Sequence, residues 1–266
     1  GATLGIARMR RMPLDRALDA AGYALAQAAG TMQAHVEGKP ALPVQIAGAA
    51  RAALVACDLA EAGMSGPHDM LEGPFGYFPL FEEAWDLKPV LDSLGQTWRI
   101  TEVSHKPWPT GRAAQGGIGL ALTLRDEIDS GEIASVRLVA PPIIKRLVGR
   151  PPVAGMAANY ARLCFAYSGA VALRRGAVTL QDFLPGPLGD PATLALAAKI
   201  TVEDDGSTDP AAFAPQTMEI MLTGGRRFEG RIEAVYGSPG HPMTAADQAA
   251  KQASCLGFAG IDRVHL

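Results

Sequence analysis

The character of the sequence changes near Thr97, and this change constrains the fold more than any other feature. Before it, the Ala-rich segments 14–32 and 43–62 repeat apolar residues at helical spacing, and 80–94 is predicted as a third helix. After it, the segments whose alternation or β-branched content predicts strands are 97–103, 133–141, 200–205, 215–224 and 226–235. Helices followed by strands and helices in mixed order predict an α+β fold rather than regularly alternating βαβ units.

Local signals also predict where several elements of the second part begin and end. We expect helices from Thr110 to about Glu127, over 154–174, and after Asp190 and Thr244, each of those two residues acting as an N-cap. Gly176 is expected to end the second of these helices. The pair Gly224 and Gly225 predicts a hairpin between the last two strands.

Composition and charge exclude several classes of function. The chain has 266 residues, 48% of them hydrophobic, and a net charge of −3, enough for one large domain or two modest ones. A near-neutral balance argues against nucleic acid as a partner. We found no uninterrupted apolar run long enough to span a membrane and no signal-peptide core, so we expect a cytoplasmic protein with no membrane partner.

The three cysteines are distant in sequence, and each lies among apolar residues. Cys57, Cys164 and Cys255 therefore predict buried thiols in a reducing compartment. Their spacing to one another and to the histidines does not match a metal site.

The stretch from Ser104 to Gln115, SHKPWPTGRAAQ, predicts a rigid turn that leads into a helix. The two prolines restrict their own backbone and that of Lys106 and Trp108. Thr110 is a candidate N-cap, which would leave free N–H groups beside Lys106 and Arg112. Such a place suits a carboxylate or phosphate. The alternative is a proline-stiffened connection with solvated basic residues.

Four motifs together resemble the MmgE/PrpD family, which includes 2-methylcitrate dehydratase, cis-aconitate decarboxylase and iminodisuccinate epimerase. One is the S-x-K-P-aromatic-P turn at Ser104, followed by small residues and an arginine. The others are the Gly-Ala start, SGPHDMLEGPFGYF (65–78) and GSPGHPMT (237–244). They follow the family's order over nearly the whole chain.

The resemblance implies a discontinuous all-helical domain, 1–96 with 241–266, and a smaller, lid-like α+β domain, 97–240, with a mainly antiparallel sheet. It also implies that the family's N-terminal helical segment is missing. We therefore expect a homo-dimer or a hetero-oligomer with a companion chain that covers the exposed Ala-rich helices. The other explanation for the missing segment is a fragment whose first part was cut off.

The chemistry that remains is acid/base chemistry on a small carboxylic acid. The motifs of phosphate-binding loops, serine hydrolases and zinc proteases are absent from the sequence. Lys106 and Arg112 could hold carboxylates, and a desolvated Lys106 could also move a proton. The resemblance implies no metal and no organic cofactor.

Histidines are sparse where the resemblance leads us to expect one. Members of the family carry a histidine at positions that here hold Gly111, Ala113 and Gln115. His105 is the only imidazole nearby, but in an extended segment it should point away from Lys106. We name His105 as a second candidate catalytic residue; the alternative is a residue at an exposed strand edge.

Further candidates bind the substrate or orient the site. Gln115 and Thr110 would assist at the helix start. Arg51 falls where some members carry a lysine, so it is a candidate anion ligand, or else a surface arginine whose stem covers apolar surface. Glu72 could orient Lys106, or it could cap its own loop.

Two functional hypotheses follow. The first is a cofactor-independent lyase or isomerase, with dehydration favoured over decarboxylation or epimerisation, acting on a small di- or tricarboxylic acid. The second is a non-catalytic or complementing subunit that pairs with a chain supplying the missing helices and acid/base residues.

Overall fold

A computed structural model describes residues 1–28 and 31–261 of the chain. Contacts divide the chain into two compact units, Gly1–Thr97 and Trp98–Leu266. The boundary falls at the position where the sequence changes character.

The first unit consists of helices and the loops that join them. Its helices are α1 (Ala2–Met9), α2 (Leu14–Ala26), α3 (Gln33–Val36), α4 (Ala41–Glu61), α5 (Tyr77–Phe81) and α6 (Lys88–Ser93). Helices α1, α2 and α4 pack against one another. Small side chains let them approach closely, and the buried core here is made of Ala7, Ala20, Ala56, Cys57 and Ala60.

Two expectations for this unit were wrong in extent. The helix predicted over 80–94 is replaced by the shorter α5 and α6, because Pro89 lies in the first turn of α6, where a proline starts a helix rather than continuing one. The helix predicted over 14–32 ends at Ala26. Helix α1 was not predicted.

Helix α4 is mostly exposed despite its apolar composition. It meets the length and hydropathy of a membrane-spanning helix, a property it shares with core helices of soluble proteins. Its sequence is not an uninterrupted apolar run, because Pro43, Gln45 and Arg51 interrupt it.

The second unit is built on a four-stranded sheet. Its strands are β1 (Ile133–Ala140), β2 (Ile200–Asp204), β3 (Gln216–Leu222) and β4 (Arg227–Ile232), in the order β2-β1-β3-β4. Strand β1 pairs in parallel with β2, whereas β1 with β3 and β3 with β4 are antiparallel. The expectation of a mainly antiparallel sheet was wrong, since the long helical connection from β1 to β2 returns the chain in the same direction.

The helices of this unit are α7 (Gln115–Leu124), α8 (Pro142–Val148), α9 (Ala158–Ala161), α10 (Phe165–Arg175), α11 (Pro185–Leu188), α12 (Pro191–Ala197) and α13 (Ala245–Ala259). Of these, α7, α8 and α10 pack against the sheet. Leu138 of β1 and Phe165 of α10 are fully buried. A Cβ at Gly117 of α7 would overlap the Phe165 ring, so glycine is required for this close packing.

The segments 97–103 and 154–174 differ from prediction. The first forms a short 3-10 helix, Arg99–Glu102, with Ile100 exposed, since no neighbouring strand pairs with it in the described part of the chain. The second is split into α9 and α10, because Cys164 leaves the helical conformation to form a β-bridge with Gly149.

The predicted caps had different outcomes. Asp190 and Thr244 do cap α12 and α13, and Gly176 ends α10 with φ 71°. Thr110 is not an N-cap: the chain first makes a 3-10 turn, Arg112–Ala114, before α7 begins.

Helix α13 belongs to the second unit by its contacts. Its Asp247 accepts a hydrogen bond from the Tyr236 hydroxyl, and its Lys251 donates to the carbonyl oxygen of Lys106. The discontinuous helical domain that joins 241–266 to 1–96 is not confirmed and stays a prediction. Residues 262–266 of that expected segment lie outside the described residues.

Candidate functional site

Two of the sequence motifs meet at the Lys106 turn. The N–H of His105 donates to the carbonyl oxygen of Gly237 at 2.7 Å. Gly237 has φ +86°, and a Cβ there would overlap the His105 carbonyl oxygen. Only glycine therefore allows the 237–244 turn to lie directly against the Lys106 turn.

Gln115 fixes the shape of this turn from inside the protein. Its side chain is fully buried, and its Nε2 donates to the Trp108 carbonyl oxygen at 3.1 Å and to the Thr110 hydroxyl at 2.6 Å. Its Oε1 accepts from the Trp108 N–H at 3.2 Å. The side chains of Gln115 and Thr110, both candidate ligands, therefore stabilise the turn.

Lys106 and His105 line the same pocket. Its volume is about 320 Å³, and its walls come from His105, Lys106, Met243, Gln248, Lys251, Gln252 and Cys255; we call it the cationic pocket. The preceding 3-10 helix ends at Glu102, and the expectation that His105 points away from Lys106 stays a prediction.

The cationic pocket suits a small anion. Its walls hold two ammonium groups, one imidazole and two side-chain amides, with no carboxylate among the wall residues. Lys106 is exposed and forms no ion pair within the described residues. A bound carboxylate would meet both charge and amide donors.

Arg112 is a second candidate for anion binding. Its Nη2 donates to Ser104 Oγ at 3.0 Å, and its guanidinium stacks over the Phe213 ring at 5.3 Å. Its Nη1 is buried and has no hydrogen-bond partner in the described part of the chain. Burial lowers the pKa of Arg112. An anion that reached Nη1 would offset the cost of burying this charge.

In the first unit, Arg51 lines a separate pocket of about 690 Å³. Gln27, Gln45 and Thr3 contribute polar groups to the same walls. Arg51 is exposed, so its guanidinium is accessible to a carboxylate. Glu72 is exposed in the same unit, and the expectation that it orients Lys106 stays a prediction.

Comparison with known families extends over most of the chain. The family model of the MmgE/PrpD N-terminal domain matches residues 1–90, and that of the MmgE/PrpD C-terminal domain matches residues 108–262. The chain belongs to the MmgE/PrpD family. The resemblance drawn from the motifs is thereby confirmed. No curated protein gives a significant match to the chain.

Membership of the MmgE/PrpD family points to a dehydratase or lyase type of protein. The candidate site residues are divided between the two matched domains. Arg51 and Glu72 lie in the N-terminal match, and Thr110, Arg112 and Gln115 lie in the C-terminal one. His105 and Lys106 lie in the short connection between the matches.

Sequence reasoning missed a buried carboxylate in the first unit. Asp19 Oδ1 accepts from the Gly66 N–H and pairs with His68 Nε2, each at 2.9 Å, and Arg16 lies 3.2 Å from Oδ2. The Gly66 N–H, followed by His68, lowers the pKa of Asp19. The available signal was an aspartate inside the Ala-rich pattern of α2.

Lys251 was also missed. It donates to the Lys106 carbonyl oxygen across 145 residues of sequence and lines the cationic pocket. Nothing in the local sequence of α13 distinguishes it from a solvated helix lysine.

Proposed function

We propose that this protein is a cytoplasmic lyase of the MmgE/PrpD type that dehydrates a small di- or tricarboxylic acid without a metal or organic cofactor. The cationic pocket is the observation that carries the proposal, because it gathers charge, amide donors and an imidazole in about 320 Å³. Decarboxylation or epimerisation would use the same groups.

The proposed mechanism assigns binding to the cations and proton transfer to a neighbouring base. Lys251 and Lys106 neutralise a substrate carboxylate, which makes the adjacent C–H more acidic. His105 takes that proton. The electron pair of the C–H bond forms the double bond, and the hydroxyl on the next carbon leaves as water after His105 returns the proton to it. Arg112 would grip a further carboxylate through its unpaired Nη1.

Ligand binding provides the first test. Citrate or a related acid at millimolar concentration should raise the melting temperature, because it binds only the folded state. The shift should survive EDTA and shrink at high salt, as expected for a charged site. Lys106→Met should remove the shift, whereas Lys145→Met, at an exposed lysine outside the pocket walls, should not. No shift with any di- or tricarboxylate would count against both catalysis and binding at this pocket.

Turnover provides the second test. Ultraviolet absorbance measures formation of the conjugated double bond, and Lys106→Met should abolish it. Arg112→Lys should mainly raise KM, because lysine keeps the charge and loses only the bidentate hydrogen bonding of the guanidinium. Lys106→Met should fold, since a solvent-reachable lysine usually contributes within about 0.5 kcal/mol. Unfolding of Lys106→Met would show that Lys106 is structural and would end the proposal.

A second candidate function is that of a subunit that completes its site with another chain. Its support is the exposed apolar surface of α4, where Val44 and Ile46 are 70% and 67% exposed. Native mass spectrometry should show a homo-dimer or a complex with a companion chain, and Lys106→Met should leave that association intact. A soluble species near 27.8 kDa at low concentration would contradict it.

A further inference from the structure

A second pocket adjoins the cationic pocket and has a different chemical character. Its volume is about 240 Å³, and it shares the wall residues Met243, Lys251 and Cys255 with the cationic pocket. Most of the remaining wall is apolar and comes from Pro107, Trp108, Pro109, Val178, Leu180 and Tyr236. We call it the side pocket.

The walls of the side pocket are held in place before any ligand binds. Gln115 bonds both the N–H and the carbonyl oxygen of Trp108, and the Trp108 ring lies 6.5 Å from the Tyr236 ring. Pro107 and Pro109 restrict the backbone on either side of Trp108. The pocket is therefore preformed, as small-molecule sites usually are.

One oxygen of the carboxylate in the side pocket wall is bonded to neighbouring hydroxyls. Asp247 Oδ2 accepts hydrogen bonds from the Tyr236 hydroxyl and from the Thr244 hydroxyl. These bonds lower its pKa, the Thr244 contribution being the larger. No ion pair joins Asp247 to Lys251 in the described part of the chain. The Lys251 ammonium donates to the Lys106 carbonyl oxygen and has further N–H groups for a ligand at the junction of the two pockets.

We propose that the side pocket binds an apolar substituent of the acid whose carboxylates occupy the cationic pocket. The ligand class is then a small carboxylic acid that carries an alkyl or aryl group, with Lys251 and Met243 at the junction between its charged and apolar parts. This inference rests on the proposed carboxylate site. It adds a selectivity for the substituent that the charged groups alone do not provide.

A series of matched acids tests the idea. Succinate, methylsuccinate, butylsuccinate and benzylsuccinate carry the same two carboxylates and differ only in the apolar arm. Calorimetric titration should show affinity rising by about fourfold for each buried methylene, the equivalent of about 0.8 kcal/mol. The gain should level off once the arm fills the pocket.

Ser254 allows the side pocket to be closed from the surface. It lies on the exposed face of α13 and lines the side pocket but not the cationic one. Ser254→Phe should remove the gain from the butyl and benzyl arms and leave succinate binding within about twofold. Ala253→Phe adds the same ring at an exposed position in neither wall, so it should keep the gain.

The outcomes separate this inference from the proposed function. If succinate binds but the arms add nothing, or if their gain survives Ser254→Phe, the side pocket is not the subsite and the carboxylate site stands. If none of the acids binds, the proposed function fails and this inference fails with it. Should Ser254→Phe lower the melting temperature, Leu180→Asn provides a second variant, and it should weaken benzylsuccinate more than succinate.

Discussion

The two units are held together by different kinds of side chain. In the second unit, large residues such as Leu138, Phe165 and Tyr167 are fully buried, and burial of each contributes roughly 1.5–3 kcal/mol. The core of the first unit, within residues 1–28 and 31–97, is mostly alanine. Its large apolar residues, such as Phe75 and Ile46, are instead exposed. Because the helices pack closely through small residues, the larger apolar residues of this unit remain on its surface.

A matched pair of substitutions gives the largest expected difference between the units. Leu138→Ala leaves a cavity in the second core and should lower the free energy of unfolding by about 2–5 kcal/mol. Leu54→Ala, at a residue 46% exposed on α4, should cost at most about 0.5 kcal/mol. Urea unfolding followed by circular dichroism measures both. Equal effects would show that Leu54 is covered in solution and would break the comparison.

A glycine substitution tests whether the first unit depends on its loop contacts. A Cβ at Gly66 would overlap the Asp19 carbonyl oxygen, so Gly66→Ala should destabilise by about 1–3 kcal/mol. Gly48→Ala on α4 meets nothing nearby and should stabilise by about 0.5–1 kcal/mol through helix propensity. Melting curves of the two variants should therefore move in opposite directions. A neutral Gly66→Ala would mean that the loop is not docked on α2.

The cysteines report on local opening of each unit. Cys255 is exposed, so the prediction of a buried thiol was wrong for this residue. Burial raises the pKa of Cys57 and raises that of Cys164 to about 11. A thiol reagent followed by mass spectrometry should label Cys255 first, then Cys57 in the small core, and Cys164 last. We expect at least a tenfold difference in rate between Cys57 and Cys164, equal to about 1.4 kcal/mol in opening free energy. The reverse order would overturn the ranking of the two units.

Acid should weaken the first unit through Asp19, and this is the smallest effect. The Asp19 pKa is lower in the folded state, so its contribution is present above the unfolded value and is lost as the pH falls through the folded pKa. Asp190 acts likewise in the second unit, where Thr193 and Arg174 lower its pKa to about 2. Asp19→Asn should reduce the pH dependence of stability in the α2 region. It should leave unchanged the pH dependence that Asp190 contributes in the second unit. Hydrogen exchange between pH 5 and pH 3 resolves the two, and an unchanged profile would contradict the role of Asp19.

Local sequence signals predicted much of the fold, and the wrong predictions concerned pairing between segments that are distant in sequence. Strands β1 to β4 and the caps Asp190 and Thr244 depend on short-range patterns and were confirmed. Residues 97–103 alternate like a strand, but no neighbouring strand in the described chain pairs with them. The parallel pairing of β1 with β2 depends on a long connection whose path the sequence pattern does not encode.

The candidate site was likewise predicted where it depends on adjacent residues and missed where it depends on distant ones. The Lys106 turn was identified from adjacent residues, and the structure brings His105 and Lys106 to one pocket as neighbours in sequence. Two contacts that the sequence did not reveal, Lys251 to Lys106 in the second unit and Asp19 to His68 in the first, join residues 145 and 49 positions apart. Side-chain pairs at such separations are set by tertiary packing, which a single sequence does not show.

The buried amide of Gln115 has an evolutionary consequence. The family resemblance places a histidine at this position in some relatives, yet here the residue holds Trp108 and Thr110 through three hydrogen bonds. A change of Gln115 to histidine would remove that support before it could supply a proton-transferring group, because an imidazole cannot reproduce the paired donor and acceptor of an amide. A histidine could therefore serve at this position only if the turn that depends on Gln115 changed as well.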